Sequence, residues 1–390
     1  MLSALTLIQG LALALLLLRL FPGRRRRPAV EPRPDASSLD GDVSVVVATL
    51  DEAHRVRLCL DGLAAQGSVV REILVVDSGS ADGTADLVRD AATRDPRITL
   101  RRDPPLPAGW VGKVWALQHG LEHARGEWVL GMDADTRPHP GCVGGALAAA
   151  RALGYDAVSF APRFSIESAG ERWLQPALLV TLVYRFGATG TDVDPERVMA
   201  NGQCFLARRE VLLAAGGYSS ARSSFSDDVT LARTLARAGR RVGFLDGARL
   251  YDVRAYTSAR EAWREWGRSL DLKDATSRVR QWSDVLFLLV VQGTPLLVLA
   301  GAAIGALAGR SRSPVVVAAV ATSAALLAVR VMLQWALASS YERKGVPFWL
   351  SPLADPLAAI RILLSTLRTP KRWRSREYGL LTPPDGSLLG

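Results

Sequence analysis

Asp133 and Asp135 stand one residue apart at the end of an apolar run, Trp128-Val-Leu-Gly-Met-Asp-Ala-Asp-Thr136. The stretch from Trp128 to Met132 reads as a buried strand. Side chains two apart on an extended chain share a face. Both carboxylates can therefore converge at the strand's carboxyl end, where open α/β sheets bind their ligands. Hard oxygen ligands with room for phosphate oxygens opposite suit Mg2+ or Mn2+. The chemistry implied is a metal–diphosphate site, hence a nucleotide-sugar. A strand-end turn carrying two solvated acids fits the same pair, because D-x-D alone is common, so the surrounding chain has to decide.

The surrounding chain supplies further candidates. A β-branched run, Val43 to Ala48, predicts a first buried strand and ends at Thr49-Leu-Asp-Glu52. Ile73 to Val76 predicts a second strand, running into Asp77-Ser-Gly-Ser-Ala-Asp-Gly-Thr84, a turn that opens a helix. Asp77 can accept hydrogen bonds from a base edge or ribose, or it can cap that helix. A third strand is expected at Ile98 to Leu100. A loop, Pro104 to Lys113, follows, and then a helix from about Val114. Lys113 offers a flexible point charge for phosphate; a solvated loop lysine is the plainer reading. Val158 to Phe160, Gln203 to Ala207 and Val242 to Leu245 read as later strands, and Ala169 to Phe186 as a bulky apolar helix that suits either a core or a lipid-facing entrance. Asp227 and Asp228 open another helix, where acids complement the helix dipole. Strands alternating with helices predict a doubly wound, mostly parallel sheet.

Membrane segments flank this stretch. Leu2 to Leu18 is long enough to cross a bilayer, with no positive charge before it and Arg24 to Arg27 after it. That placement predicts an uncleaved anchor with its N-terminus outside and the following chain in the cytoplasm. Val285 to Gly309 and Pro314 to Ala338 predict a hairpin of two spans, in which Arg330 must snorkel or pair. Residues 347–367 read as an interfacial or re-entrant segment. The expected organisation is an anchor over 1–22, a linker over 23–41, a catalytic domain over 42–283, the hairpin over 284–338 and a cytoplasmic or interfacial segment over 339–390. The net charge of +10 is concentrated beside apolar segments, which favours a membrane surface over nucleic acid. Cys59, Cys142 and Cys204 lack metal-like spacing and read as reduced core residues.

Asp51-Glu52, Asp77 with Ser-Gly-Ser-x-Asp-Gly-Thr, Gly112-Lys113, Asp133-x-Asp135 and Asp227-Asp228 follow one another in an order that resembles family 2 of the glycosyltransferases, over roughly residues 43–250. The stretch Pro-Leu-Pro-Ala-Gly-Trp-Val-Gly-Lys-Val-Trp-Ala-Leu-Gln and the late Trp373-Arg-Ser-Arg-Glu-Tyr378 are similar to the carotenoid- and hopene-associated members; Ser375 stands where many of those carry Gly. The resemblance implies a GT-A fold. It implies that Thr49, Asp51, Glu52, Asp77 and Ser78 surround the nucleotide and that Lys113 lies near the donor. It implies too that Asp133 contacts ribose or metal, Asp135 contacts Mg2+ or Mn2+, and Asp228 is the general base. Asp51 replaces the family's usual Asn and cannot donate, which leaves the base less defined. Asp227-Asp228 replaces the usual Glu-Asp.

The activity expected is a single, inverting transfer from a nucleoside-diphosphate sugar, UDP-linked by preference, to a membrane lipid such as a hydroxylated carotenoid or another polyprenoid. The alternatives are a polyprenyl-phosphate sugar transferase or polysaccharide synthase, and a non-catalytic nucleotide-sugar-binding protein. The processive pattern Gln-x-x-Arg-Trp does not occur in Arg260-Glu-Ala-Trp-Arg-Glu-Trp-Gly-Arg268. The expected location is the inner or plasma membrane, multi-pass, with the catalytic domain cytoplasmic.

Overall fold

A run of β-branched residues can be buried on both faces only as a central strand. Strand β1 (Val43–Thr49) is such a strand, with all but one of its residues buried. A computed structural model describes residues 2–34, 40–254, 256–266, 270, 272–309, 313–367, 372–373 and 376–377. In it β1 lies between two parallel neighbours, β2 (Val70–Asp77) and β4 (Trp128–Asp133), with Thr49 opposite Asp77 and Ala48 opposite Asp133. The remaining strands are β3 (Ile98–Arg102), β5 (Thr136–Pro138), β6 (Ala157–Ala161), β7 (Arg163–Phe164), β8 (Cys204–Arg208), β9 (Val242–Asp246), β10 (Tyr251–Val253) and an antiparallel pair, β11 (Arg372–Trp373) with β12 (Arg376–Glu377). The main sheet runs β3-β2-β1-β4-β8-β6-β9 and is parallel except where β8 meets β4 and β6. A second, three-stranded sheet runs β5-β10-β7.

The chain divides into two compact units. The unit built on the sheets comprises residues 27–164, 189–255 and 370–390. Its helices are α2 (Val56–Ala64), α3 (Thr84–Arg94), α4 (Gly112–His123), α5 (Cys142–Leu153), α7 (Arg209–Ala214) and α8 (Asp227–Arg237), and α1 (Leu2–Leu20) and α6 (Ala169–Phe186) belong to the other unit. Alternate residues of the strands serve opposite cores. Val45, Val47, Ile73, Val75 and Leu130 pack with Val56, Leu60 and Leu63 of α2 and Val143 and Leu147 of α5. Val46, Leu74, Val76 and Val129 pack with Val114, Leu117 and Leu121 of α4 and Leu231 and Leu235 of α8. Gly120 is where α4 comes closest to the sheet: a Cβ there would lie 2.2 Å from Val46 Cγ1.

The second unit comprises residues 1–26, 165–188 and 256–369. It adds α9 (Ala259–Trp266), α10 (Arg278–Leu288), α11 (Pro295–Leu307), α12 (Pro314–Leu337), α13 (Gly345–Trp349) and α14 (Asp355–Leu367) to α1 and α6. Among the described residues, three helical stretches are long and apolar enough to cross a membrane: Leu2–Arg25, Arg278–Leu307 and Pro314–Ser340. The second begins earlier than the expected Val285 and contains a π-helical turn at Leu289–Gly293. The segment over 347–367 is broken into α13, a 3-10 turn at Ser351–Ala354 and α14, as Pro347 and Pro352 favour. Arg330 pairs with Asp355 and does not snorkel: its Nε donates to both carboxylate oxygens at 3.0 and 2.9 Å.

Relative to the sequence reading, α4 starts at Gly112, so Lys113 sits in its first turn and not in a loop. Helix α5 and the small sheet carried no sequence expectation. Cys59, Cys142 and Cys204 are buried free thiols. The Trp373-to-Tyr378 ending falls mostly outside the described residues.

Candidate active site

The order β3-β2-β1-β4 reverses direction at β1, so the carboxyl ends of β1, β2 and β4 form a switch-point crevice. Thr49, Asp77 and Asp133 are the last residues of these three strands. Neighbouring strands are about 4.8 Å apart, which sets Asp77 and Asp133 about 10 Å from each other across β1.

On the β4 side, the Lys113 ammonium meets Asp133 Oδ1 at 2.7 Å. Burial pulls the lysine's proton affinity down, but Asp133 and the two acids at the start of α8, Asp227 and Asp228, more than offset it, so Lys113 stays protonated. Asp228 is held from two directions. Gly202 N–H donates to its Oδ2 at 2.7 Å, and Val229 N–H donates to its Oδ1 at 2.8 Å. A Cβ at Gly202 would stand 3.1 Å from Lys113 Nζ and 3.5 Å from Asp228 Oδ2, so this backbone runs between the ammonium and the carboxylate. Burial raises both α8 carboxyls above the ordinary carboxylate range, against the lowering influence of Lys113. One ammonium thus faces three carboxyl groups, two of which hold protons more tightly than a solvated acid.

Asp133 and Asp135 are both partly exposed, with Ala134 buried between them. Thr136 Oγ1 donates to the Asp133 carbonyl at 2.7 Å and fixes the bend that separates them. Cys59 lies beneath. Its thiol contacts the Asp133 carbonyl at 3.7 Å, and burial pushes its pKa up to about 12, so it is a neutral packing group and no nucleophile.

On the β2 side, Asp77 organises the Gly-rich turn. Its carboxylate accepts from Thr49 Oγ1 at 3.1 Å, from the N–H groups of Gly79 and Ser80 at 3.2 and 3.0 Å, and from Ser80 Oγ. A carboxylate has about four acceptor sites, so a base or ribose bonding to Asp77 must displace one of these donors. The hydroxyls of Thr49 and Ser80, which can rotate, are the exchangeable ones. Asp51 adopts φ 54°, the left-handed region that Asp tolerates better than most residues. Its Oδ1 accepts from Ala81 N–H at 3.0 Å and its own N–H donates to Ser80 Oγ at 2.9 Å. Glu52 is buried, and its N–H donates to Thr84 Oγ1. The Ser78 hydroxyl donates to Asp103 at 2.8 Å.

The fold therefore brings Lys113, Asp133, Asp227 and Asp228 into one cluster. Asp135 lies at its edge, and Thr49, Asp51, Glu52, Asp77 and Ser78 knit the adjoining loop. Sequence reasoning missed Gly202 as a ligand of Asp228, Asp103 as the partner of Ser78, and Tyr218, which is buried within reach of Asp227, Lys113 and Asp133. The Asn201-Gly202 step was the only signal available for the first of these.

Comparison with known proteins fits this geometry. Residues 44–214 match the family description Glycosyl transferase family 2. That match covers less than half of the chain, and the sheet unit that holds most of it has the GT-A fold. It is 44% identical over 64 residues, 16% of this chain and 18% of the relative, to a dolichyl-phosphate beta-glucosyltransferase of Trichomonas vaginalis. It is 35% identical over 115 residues, 28% of this chain and 31% of the relative, to an undecaprenyl-phosphate 4-deoxy-4-formamido-L-arabinose transferase of Pseudomonas fluorescens. The chain thus spans less than a third of the length of either. A mannosyltransferase from Pyrobaculum calidifontis, solved in complex with GDP-Man and Mn2+, matches 94% of this chain and 99% of its own with a TM-score of 0.57 and 22% identity, a likeness of fold.

Proposed function

We propose that this chain is an inverting, divalent-metal-dependent transferase that moves a sugar from a nucleoside-diphosphate sugar, UDP-linked in the first instance, to a hydroxyl of a membrane-dissolved polyprenoid lipid such as a hydroxylated carotenoid. The observation that carries the reading is the Lys113–Asp133 pair set against the buried Asp227 and the partly buried Asp228 at the carboxyl end of β4. Asp228 is the base proposed to take the acceptor's proton. Its raised proton affinity suits that task, and the Gly202 and Val229 N–H groups fix where the accepting oxygen points. A single displacement by the acceptor oxygen inverts the anomeric centre. Lys113 is proposed to sit by the donor phosphates. Thr49, Asp51, Glu52, Asp77 and Ser78 are proposed to form the nucleotide side.

Among the described residues no group of three or more His, Cys, Asp or Glu side chains is arranged to hold a metal ion on its own. A site with two carboxylates and open positions for phosphate oxygens fits Mg2+ or Mn2+ all the same, because such ions take one or two carboxylates and complete their shell from substrate and water. Asp135, with Asp133, would hold the ion, and Lys113 engages only one oxygen of Asp133. When bound, the ion supplies Lewis-acid neutralisation of the departing diphosphate.

The names of the curated relatives support a second reading, with a polyprenyl phosphate as acceptor. A phosphate oxygen is already anionic and needs no base, and three carboxyls at the site oppose it, which favours the hydroxyl. The proposed setting is the inner or plasma membrane, the catalytic unit on the cytoplasmic side. The deciding experiment gives the purified full chain a panel of nucleotide sugars, with and without chelator, and separates lipid products into neutral glycolipid, lipid phosphate and polymer. A neutral glycolipid made only with divalent ion is expected; chelator-resistant turnover would remove the metal, and a phosphodiester product would replace the acceptor.

A further inference from the structure

Strand β5, which begins one residue after Asp135, is three residues long and ends on Pro138, which has no N–H for the ladder. Backbone pairing alone holds such a strand weakly. What closes it is the side chain of the next residue. His139 Nε2 lies 2.9 Å from Asp252 Oδ2, and its Nδ1 lies 3.0 Å from the Arg249 carbonyl oxygen. Both partners are acceptors only, and a neutral imidazole has one N–H. The two contacts together therefore require the imidazolium.

Asp252 is buried in the middle of β10, the central strand of the small sheet, opposite Arg137 of β5 on one side and Arg163 of β7 on the other. Arg163 forks onto the same carboxylate, with Nε to Oδ1 at 2.6 Å and Nη2 to Oδ2 at 3.0 Å. The charged groups facing the ring are thus Asp252 from β10 and, through it, Arg163 from β7; from the end of α2, Gln66 Nε2 donates to the His139 carbonyl at 2.9 Å. The side chains of His139 and Arg163 stitch all three strands through one aspartate. Asp135 lies inside the turn that the Thr136–Asp133 bond closes, upstream of β5 and the clip, and Arg254 N–H, just past β10, donates to the Asp135 carbonyl.

We infer that His139 is a positioning residue, whose imidazolium, clipped to Asp252 and the Arg249 carbonyl, fixes the Asp135 carboxylate for the metal–nucleotide. This rests on the proposed role of Asp135. The hydrogen bond to Asp252 raises the ring's proton affinity above its usual value, burial opposing, so the clip is closed at acid and neutral pH and opens as pH rises through that higher value. Polar partners one step behind a metal ligand typically change metal affinity by about 10- to 100-fold when removed.

The test is Mn2+ binding by the full chain in detergent with a nucleoside diphosphate present, followed by electron paramagnetic resonance from pH 6 to 9. His139→Phe should weaken Mn2+ by about 10-fold and abolish the loss of Mn2+ affinity that the unaltered protein shows as pH rises, leaving the opposite change that follows deprotonation of Asp227 and Asp228, with lipid-acceptor KM unchanged. His139→Gln, which keeps one donor, should fall between. A purely structural role would lower the melting temperature without altering the pH profile of Mn2+ binding. Asp135→Asn separates the two claims. If it binds Mn2+ as well as the unaltered chain, the metal role of Asp135 fails. If it loses Mn2+ while His139→Phe does not, or if wild-type binding is flat with pH, the His139 inference is overturned.

Discussion

Each unit buries a basic residue against carboxylates, and the two do it in opposite ways. In the membrane-helix unit, Arg330 and Asp355 are 2% and 5% exposed and matched one to one. Ser351 Oγ and Gln334 Oε1 each accept from one terminal nitrogen of the guanidinium, Gln334 in turn donates to the Phe348 carbonyl, and Gln292 donates to Asp355. Charge is balanced, and the pair asks for nothing from outside. In the sheet unit, Lys113 faces Asp133, Asp227 and Asp228. Negative charge is in excess, and it is relieved by holding protons or by receiving a cation. Buried ion pairs are weak evidence for stability in themselves. What distinguishes a scaffold pair from a reaction site is whether the local charge closes.

The sharpest way to break this contrast is Asp228→Asn. It keeps shape and the Gly202 contact but removes the proposed base, and transfer should fall by about 100- to 10,000-fold while nucleotide binding, measured by calorimetry, persists. Retained turnover would take the base role from Asp228. On the balanced side, Arg330→Met or Asp355→Leu alone should destabilise the membrane unit by about 3–5 kcal/mol, because each leaves a buried charge alone, whereas the double variant should recover much of that loss; unfolding in detergent micelles measures it. A double variant that costs the sum of the two single variants would show that the pair is not coupled. Lys113→Met removes the one positive charge and lets the α8 acids rise further, so the acid limb of the pH–rate profile should move to higher pH. In the unaltered enzyme that limb should already lie above the ordinary carboxylate range, with activity lost as pH falls through it. The smallest effect expected is from Gly120→Ala, where overpacking against Val46 should cost about 1–3 kcal/mol without touching the chemistry.

Much of this was legible in the residues. Strands over Val43–Thr49 and Trp128–Asp133 announced themselves by β-branched and apolar runs, and helix Ala169–Phe186 appears with the expected ends. The acids at 77, 133 and 228 were visible as types in an order. Their partners were not. That Lys113 meets Asp133 depends on β4 joining the sheet beside β1, a topological fact that no local pattern carries. Gly202 acts through its backbone, so its residue type gives little away. The small sheet went unseen because strands of two or three residues have no measurable alternation. Helix α5 is Gly- and Ala-rich, with a single charged residue, Arg151, and so has too little polar contrast to show a helical period. Arg330 signalled that it needed something, and its partner lay in a segment whose prolines pointed first to an interface.

The chain crosses between its two units repeatedly, and helix Ala169–Phe186 is an excursion of the middle of the sequence into the company of the C-terminal helices. Cutting once cannot release the sheet unit whole. A water-soluble fragment of residues 42–283 would carry that helix away with the Gln175 side chain stripped of Tyr341 and the Ala177 carbonyl stripped of Gln292. Detergent-free preparation of the sheet unit therefore calls for replacing residues 165–188 with a polar linker as well as removing the helices before residue 27 and after residue 255, and a stop codon alone does not achieve it.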